Sequence, residues 1–563
     1  MAGNILTPIT LWGDFKIETP PIMTECDVVV DGGVTTTRCY IDGRDVNGQS
    51  VKIFTTITEK GKHSKKPSIL LLRDFSDEQD KSLINDLAEK GYIVVDVDLA
   101  GSVEGKEYYT EYPKDIAYAN YQNAKESLYT ITGDASQTCW YEWTCVARYV
   151  LAYLKSQERI TAIGGVGIAE AATVLWQVAG MDKNLDCAVF VMNAGWSGYR
   201  GIHKFSGQVE PQFSDNMYKF IAGIDPQTYA NHISCPVLML APTNSNVYDC
   251  DRAYDTLLKI NKGVYSSIHY SVGYCERISS KGYNDLVIFF DKILKHGAEA
   301  VKELPQEADI KAEIDNGEIV VEVTPDMTNV KGASLYVSEQ TAVPAERCWF
   351  KLSDGKKEED KFVFRYKPYK QSGLATFFSH VKYKNNFTIG TKIIAKKFQP
   401  EEVSGVYKSN IVYSSRTDDG ESVFTAANQK LINSDRINVL GDKRIKVLTG
   451  PMDIDGVYCP WGLLTFKINA LKDKPNQDAM FMFDVYAKED CVVTVKLISD
   501  YHGDKIDYMV NVKVNGGDVW HNIKLEKAKF KTAEGRSLKS YDSVNAIEFD
   551  AQGEWLINNA LWV

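Results

Sequence analysis

Near Leu304-Pro305 the hydrophobic periodicity of this 563-residue chain changes, and that change limits its possible folds more than any other feature. Before it, short apolar runs alternate with amphipathic stretches. Pro67-Ser68-Ile69-Leu70-Leu71-Leu72 reads as a fully buried strand, and Leu83, Ile84, Leu87 and Ala88 put one apolar face on the helix that follows. Residues 92–97, 159–164, 187–192 and 236–241 read as further strands, with helices over 140–155, 173–179 and 284–295. Such alternation predicts a mostly parallel sheet with helices on both faces. Residues 1–66 alternate as short strands, as at 26–30 and 51–57, and are assigned to the same unit.

After Leu304-Pro305 only strand patterns remain. Residues 319–323, 333–337, 361–366, 374–381 and 391–396 suffice for a small β-sandwich. A polar connector leads to a second all-β unit. Its clearest expected hairpin joins 508–514 to 519–523 through Asn515-Gly516-Gly517, since Asn-Gly supplies the positive φ that a tight turn needs. A chain this long exceeds a single core, and the boundaries expected are 1–304, 305–400 and 401–563.

Charge and composition exclude several classes. A net charge of −11 with no basic run offers nothing to attract nucleic acid. No apolar stretch reaches the roughly 18–20 residues that cross a bilayer, so no membrane association is expected. Met1-Ala2-Gly3-Asn4-Ile5 lacks a basic region followed by an apolar run, so no export signal is read there. The 11 cysteines are scattered without C-x-x-C spacing, which suggests reduced thiols in the cytoplasm and no zinc. No metal and no cofactor is expected.

The chemistry-bearing motif is Ile160-Thr161-Ala162-Ile163-Gly164-Gly165-Val166-Gly167-Ile168-Ala169-Glu170, a strand, a glycine turn and a helix start. A dinucleotide loop would need a third glycine where Glu170 stands, and it would sit near the first strand. The plain alternative is a structural turn. Around this motif stand Gly91-Tyr92-Ile93-Val94-Val95-Asp96-Val97-Asp98, Trp140-Tyr141-x-Trp143, Thr173-x-x-Trp176-Gln177-Val178-Ala179-Gly180, Asn193-Ala194-Gly195-Trp196, Cys235-Pro236-Val237-Leu238 and Phe289-Phe290-Asp291. In this order, over about residues 10–297, the set resembles the α/β-hydrolase superfamily, in its dienelactone-hydrolase and acetyl-xylan-esterase branch.

That resemblance implies a G-x-S-x-G turn with an exposed serine. In the frame Gly165-x-Gly167-x-Ala169 the serine position is Gly167, followed by Ile168 in the oxyanion region. The acid loop reads Ala241-Pro242-Thr243-Asn244-Ser245, which puts Ser245 at the acid, with Asp249 or Asp251 as shifted alternatives. The histidine loop reads Tyr274-Cys275-Glu276-Arg277-Ile278, which puts Glu276 in the place of the imidazole. His269 is assigned to the preceding strand. The corner after the 67–72 strand reads Arg73-Asp74-Phe75 where the family often has His-Gly, and an inward Asp74 would repel an oxyanion.

Nucleophile, base and orienting acid are all replaced, so ester hydrolysis by a serine triad is not expected. A rebuilt site with Glu276 or Glu170 as base toward water stays open. Trp140, Trp143 and Trp176 are read as core. Glu276-Arg277 is read as a surface ion pair, and Cys275 lacks the histidine that would activate it.

Gly456-Val457-Tyr458-x-x-Trp461-Gly462, the Trp520 strand and the terminal Gly553-Glu554-Trp555-Leu556-Ile557 stretch resemble a jelly-roll, galactose-binding-like carbohydrate module. The resemblance implies Tyr458, Trp461 and Trp520 as a sugar platform. A sandwich that packs and binds nothing is the competing reading. Residues 306–397 resemble an immunoglobulin-like spacer. The expectation is therefore an α/β-hydrolase fold, an immunoglobulin-like β-sandwich and a jelly-roll. Its leading function is a non-catalytic esterase relative that binds a carbohydrate, an acetylated sugar or a partner. Alternatives are a carboxylic ester hydrolase or deacetylase with a non-standard site, and a structural subunit of an oligomer.

Overall fold

The computed structural model describes residues 4–61, 64–73, 75, 81–245, 247–274, 277–352, 355–418, 420–427 and 445–563. The first region is built on a nine-stranded sheet. Its strands are β1 (Met23–Asp31), β2 (Val34–Val46), β3 (Gln49–Lys60), β4 (Lys66–Leu72), β5 (Ile93–Val97), β6 (Ile160–Ile168), β7 (Cys187–Val191), β8 (Val237–Pro242) and β9 (Ser266–Ser271). Their order across the sheet is β1-β2-β3-β5-β4-β6-β7-β8-β9. The first three pair antiparallel, β3 is antiparallel to β5, and every later pair is parallel. The crossover of β4 and β5 between β3 and β6, with helices on both faces, gives an α/β-hydrolase-like region.

Alternation along each strand decides which layer a residue joins. Leu70, Leu72, Val95 and Val97 face one layer, where the helices Cys139–Ser156 and Glu170–Met181 supply Trp140, Trp143 and Trp176. All three tryptophans are buried, and Trp176 stacks on Phe190 with centroids 3.7 Å apart. Ile69, Leu71, Val94 and Val166 face the other layer, against the helices Lys81–Glu89 and Ser280–Phe290. Among the described residues no helix is long and apolar enough to cross a membrane.

The second layer's core does not end at residue 304. It runs on into Ile319, Val321, Phe364 and Phe377, which belong to the next unit. That unit is two facing antiparallel sheets between Asp309 and Lys397, one of four strands and one of five. The strand Asp309–Asp315 has no expected counterpart; only Ile310 in it is buried, and Asp309, Lys311, Glu313 and Asp315 are exposed.

The last unit also pairs two sheets, of six and five strands. Here the expected hairpin is wrong. Ile506–Val514 pairs with Cys491–Ser499 in one sheet, and Trp520–Leu525 pairs with Phe481–Ala487 in the other. The Asn515-Gly516-Gly517 segment crosses between sheets. A Cβ on Gly516 would lie 2.4 Å from the Glu489 backbone, so this glycine serves close approach of two chains and not a two-residue turn.

Candidate functional site

In an open parallel sheet the chemistry sits beyond the carboxyl ends of the strands. Four such ends matter here: those of β4, β6, β8 and β9.

The end of β6 corrects the expected frame. Gly167 lies inside the strand, hydrogen-bonded in register with Leu72 and Phe190 on either side. A Cβ there would meet Ala172 Cα at 2.7 Å and Leu175 Cβ at 2.8 Å. Those atoms belong to the helix packed over the strand, so no serine fits at 167. The strained turn falls two residues later. Ala169 has φ 53° and ψ −127°, a main-chain conformation that a residue with a Cβ adopts only when its surroundings force it. Its N–H donates to Val191 O at 2.9 Å, and Asn193 Nδ2 donates to its carbonyl at 3.0 Å and to Thr173 Oγ1 at 3.0 Å. The frame set by the backbone is therefore Gly167-x-Ala169-x-Ala171, with a methyl group at the apex. Ile168 is buried as the last residue of β6, and Glu170 opens the helix.

The β4 end is filled by an ion network. Arg73 Nε donates to Asp96 Oδ1 at 3.0 Å, and its Nη2 lies 3.7 Å from Asp98 Oδ1. Lys106 Nζ reaches the same Asp98 oxygen at 2.8 Å. Both carboxylates are buried, and both stand at the end of β5, where hydrophobic pattern alone gave only a strand. Asp74 lies outside the described residues. Phe75 packs in the core between Tyr121 and Trp143, 5.0 and 4.3 Å from their ring centroids.

At the β8 end, Ser245 is buried and its Oγ accepts the N–H groups of Val247 (3.1 Å) and Tyr248 (3.0 Å), so it stabilises a turn. Asp249 caps the helix Cys250–Leu257, accepting from the N–H groups of Asp251 and Arg252. Burial raises its carboxyl to about 6. Asp251 is fully buried and bound at both oxygens by Arg347, Nη1 to Oδ1 at 2.6 Å and Nη2 to Oδ2 at 2.7 Å. Arg347 comes from the second unit, whose carbonyl at the same residue also accepts from Asn244 Nδ2 at 2.6 Å. Next to it, Glu346 accepts from Asn469 (2.7 Å) and Asn545 (3.2 Å) of the last unit. One short segment thus ties the acid loop to both β units. Sequence reading had no signal for Arg347, because nothing local distinguishes it.

At the β9 end, Cys275 and Glu276 lie outside the described residues. Arg277 is buried, not at the surface, and its guanidinium carbon lies 5.6 Å from the Trp461 ring centroid. His269 is inside β9 as expected, with Nδ1 2.7 Å from Asp285 Oδ2. Asp285 Oδ1 also accepts the Thr388 N–H at 3.2 Å, so this buried pair braces the junction with the second unit.

The three residues of the expected aromatic platform each have packing partners among the described residues. Trp461 meets Arg277. Trp520 donates Nε1–H to Pro451 O at 3.1 Å and pairs with Tyr486, while Tyr458 stands edge-on to Trp555, 6.2 Å between centroids. A separate groove of about 1050 Å³ runs along the last unit, lined by Asp490, Asn511, Asp550 and Glu554 together with Lys488, Lys513 and apolar residues such as Val492.

No known protein family matches this chain, and no curated protein matches it. Among solved structures it is similar to an acetyl xylan esterase from a Paenibacillus species, with 13% identity, TM-score 0.37, 50% of this chain and 91% of that one covered. It is also similar to acetyl xylan esterase 1 from a Thermoanaerobacterium species (14% identity, TM-score 0.35, 48% and 87% covered). A cold-adapted esterase from an Arctic intertidal metagenomic library matches at 14% identity and TM-score 0.33, with 47% and 97% covered. Likeness this slight adds nothing to the fold assignment, which rests on the strand order.

Proposed function

We propose that this chain is an esterase-like protein without serine-hydrolase chemistry, in which the former catalytic loops serve assembly and the last unit binds ligand. The observation that carries the first part is Ala169. The strained turn that would aim a nucleophile ends in a methyl group, which can neither attack an acyl carbon nor exchange a proton. The acid loop supports the same reading, since Ser245 holds a turn and Asp251 is spent on Arg347. A buried carboxylate already neutralised by a bidentate guanidinium has less charge left to stabilise an imidazolium. Turnover of p-nitrophenyl acetate and of acetylated xylo-oligosaccharides tests this. No rate above buffer is expected, and a rate that scales with folded protein would overturn the proposal.

The two β units are assigned as an immunoglobulin-like sandwich and a jelly-roll, on their paired antiparallel sheets. The polar groove of the last unit favours a polyhydroxylated ligand such as a carbohydrate, because its carboxylates and amides can accept and donate to several hydroxyls at once. This moves the ligand reading away from Trp461 and Trp520. Glycan-array binding lost in Asn511→Ala but kept in Trp520→Phe supports the groove. Loss confined to the Trp520 or Trp461 variants would restore the aromatic platform instead.

A further inference from the structure

The second unit and the helix Ser280–Phe290 line an open cleft of about 520 Å³ whose charge opposes that of the whole chain. Lys281 and Asn284 reach it from the helix, and Lys331, Lys351, Lys382 and His380 from the five-stranded sheet. Register explains the gathering. Tyr336 pairs with both Lys351 and Phe378, Ser334 pairs with His380, and Gly332 pairs with Lys382, so these rows share one face. A bulge between Val330 and Gly332 interrupts that register at Lys331, and a Cβ on Gly332 would meet nothing within 4 Å, which leaves the face open there.

None of the four ammonium groups has an ion-pair partner among the described residues. The carboxylate within this helix, Asp285, is committed to His269 and to the Thr388 N–H. At the cleft wall the His380 Nε2 is buried without a hydrogen-bond partner among the described residues. Burial and the nearby charges of His269, Lys281 and Lys351 hold His380 well below the usual imidazole range, so it is neutral at pH 7 and can donate one N–H. Four cations with no ion-pair partner among the described residues repel each other around one concavity, in a chain of net charge −11. An anion relieves that repulsion, and a low-dielectric wall focuses the attraction.

We propose that this cleft is a binding site for a small multiply charged anion of the phosphate or sulfate class. The site lies apart from the β6 turn and holds whether or not that turn is catalytic. The test is calorimetric titration of the full chain with inorganic pyrophosphate, and separately with inorganic sulfate, at low ionic strength. Saturable binding is expected, weakened roughly tenfold in Lys331→Gln/Lys382→Gln, at about threefold for each exposed charge removed. Lys446→Gln/Lys539→Gln, which removes the same charge from the last unit, should leave affinity within about twofold. Pyrophosphate bound more tightly than sulfate identifies a phosphate-type ligand, and the reverse order a sulfate-type one. Absence of saturable binding, or equal weakening by both double variants, overturns the proposal.

Discussion

Placement of the strained turn at residue 169 makes Ala169→Gly and Gly167→Ala move stability in opposite directions. A non-glycine residue at φ 53°, ψ −127° costs on the order of 1–3 kcal/mol. Glycine removes that strain but loses about 0.5–1 kcal/mol to chain entropy. Ala169→Gly should therefore stabilise the region by up to about 2.5 kcal/mol. At 167 the added methyl would sit 2.7 Å from Ala172 Cα and 2.8 Å from Leu175 Cβ. Neither atom is the free end of a flexible side chain, so helix and strand must separate, at about 1–3 kcal/mol or more. Thermal unfolding of both variants reads the difference, at roughly 2 °C per kcal/mol for a region of this size. A stabilised Gly167→Ala together with a destabilised Ala169→Gly would refute the placement.

Two further predictions concern buried charge. Arg347→Met leaves Asp251 charged and alone in the interior and should cost about 3–5 kcal/mol, whereas Asp251→Leu/Arg347→Met should recover most of that loss; urea denaturation of the two variants checks it, and equal losses would contradict it. Asp225 is buried, and burial raises its carboxyl to about 6, although it accepts the Ser197 N–H at 2.9 Å. Because the folded chain holds this proton more tightly than the unfolded chain, stability falls as pH rises from about 4 to about 6, by about 3 kcal/mol for this group. Asp225→Asn should remove that share of the decline, and an unchanged pH–stability curve would count against it.

Much of the fold is legible in the sequence because burial leaves periodic traces. The runs at 67–72, 92–97, 187–192 and 236–241 became strands within a residue or two, and the switch at Leu304-Pro305 marks where helices give way to strands. What pattern does not carry is partner choice. Asn515-Gly516-Gly517 has the composition of a hairpin turn, yet its flanking strands pair in opposite sheets. The nucleophile frame failed for a related reason. Gly165 and Gly167 look like the glycines of a turn, but both are there to admit Leu175 and Ala172 against the strand. Only the backbone angles at Ala169 show where the chain bends. The Asp251–Arg347 and His269–Asp285 pairs join residues far apart in sequence, so nothing local could announce them.

The most direct measurement of the account is intact-protein mass after exposure to a fluorophosphonate, which phosphonylates an activated serine at an esterase turn. An unchanged mass is expected, because the residue at the bend is Ala169. A single stoichiometric adduct mapped to the ends of β6, β8 or β9 would contradict it.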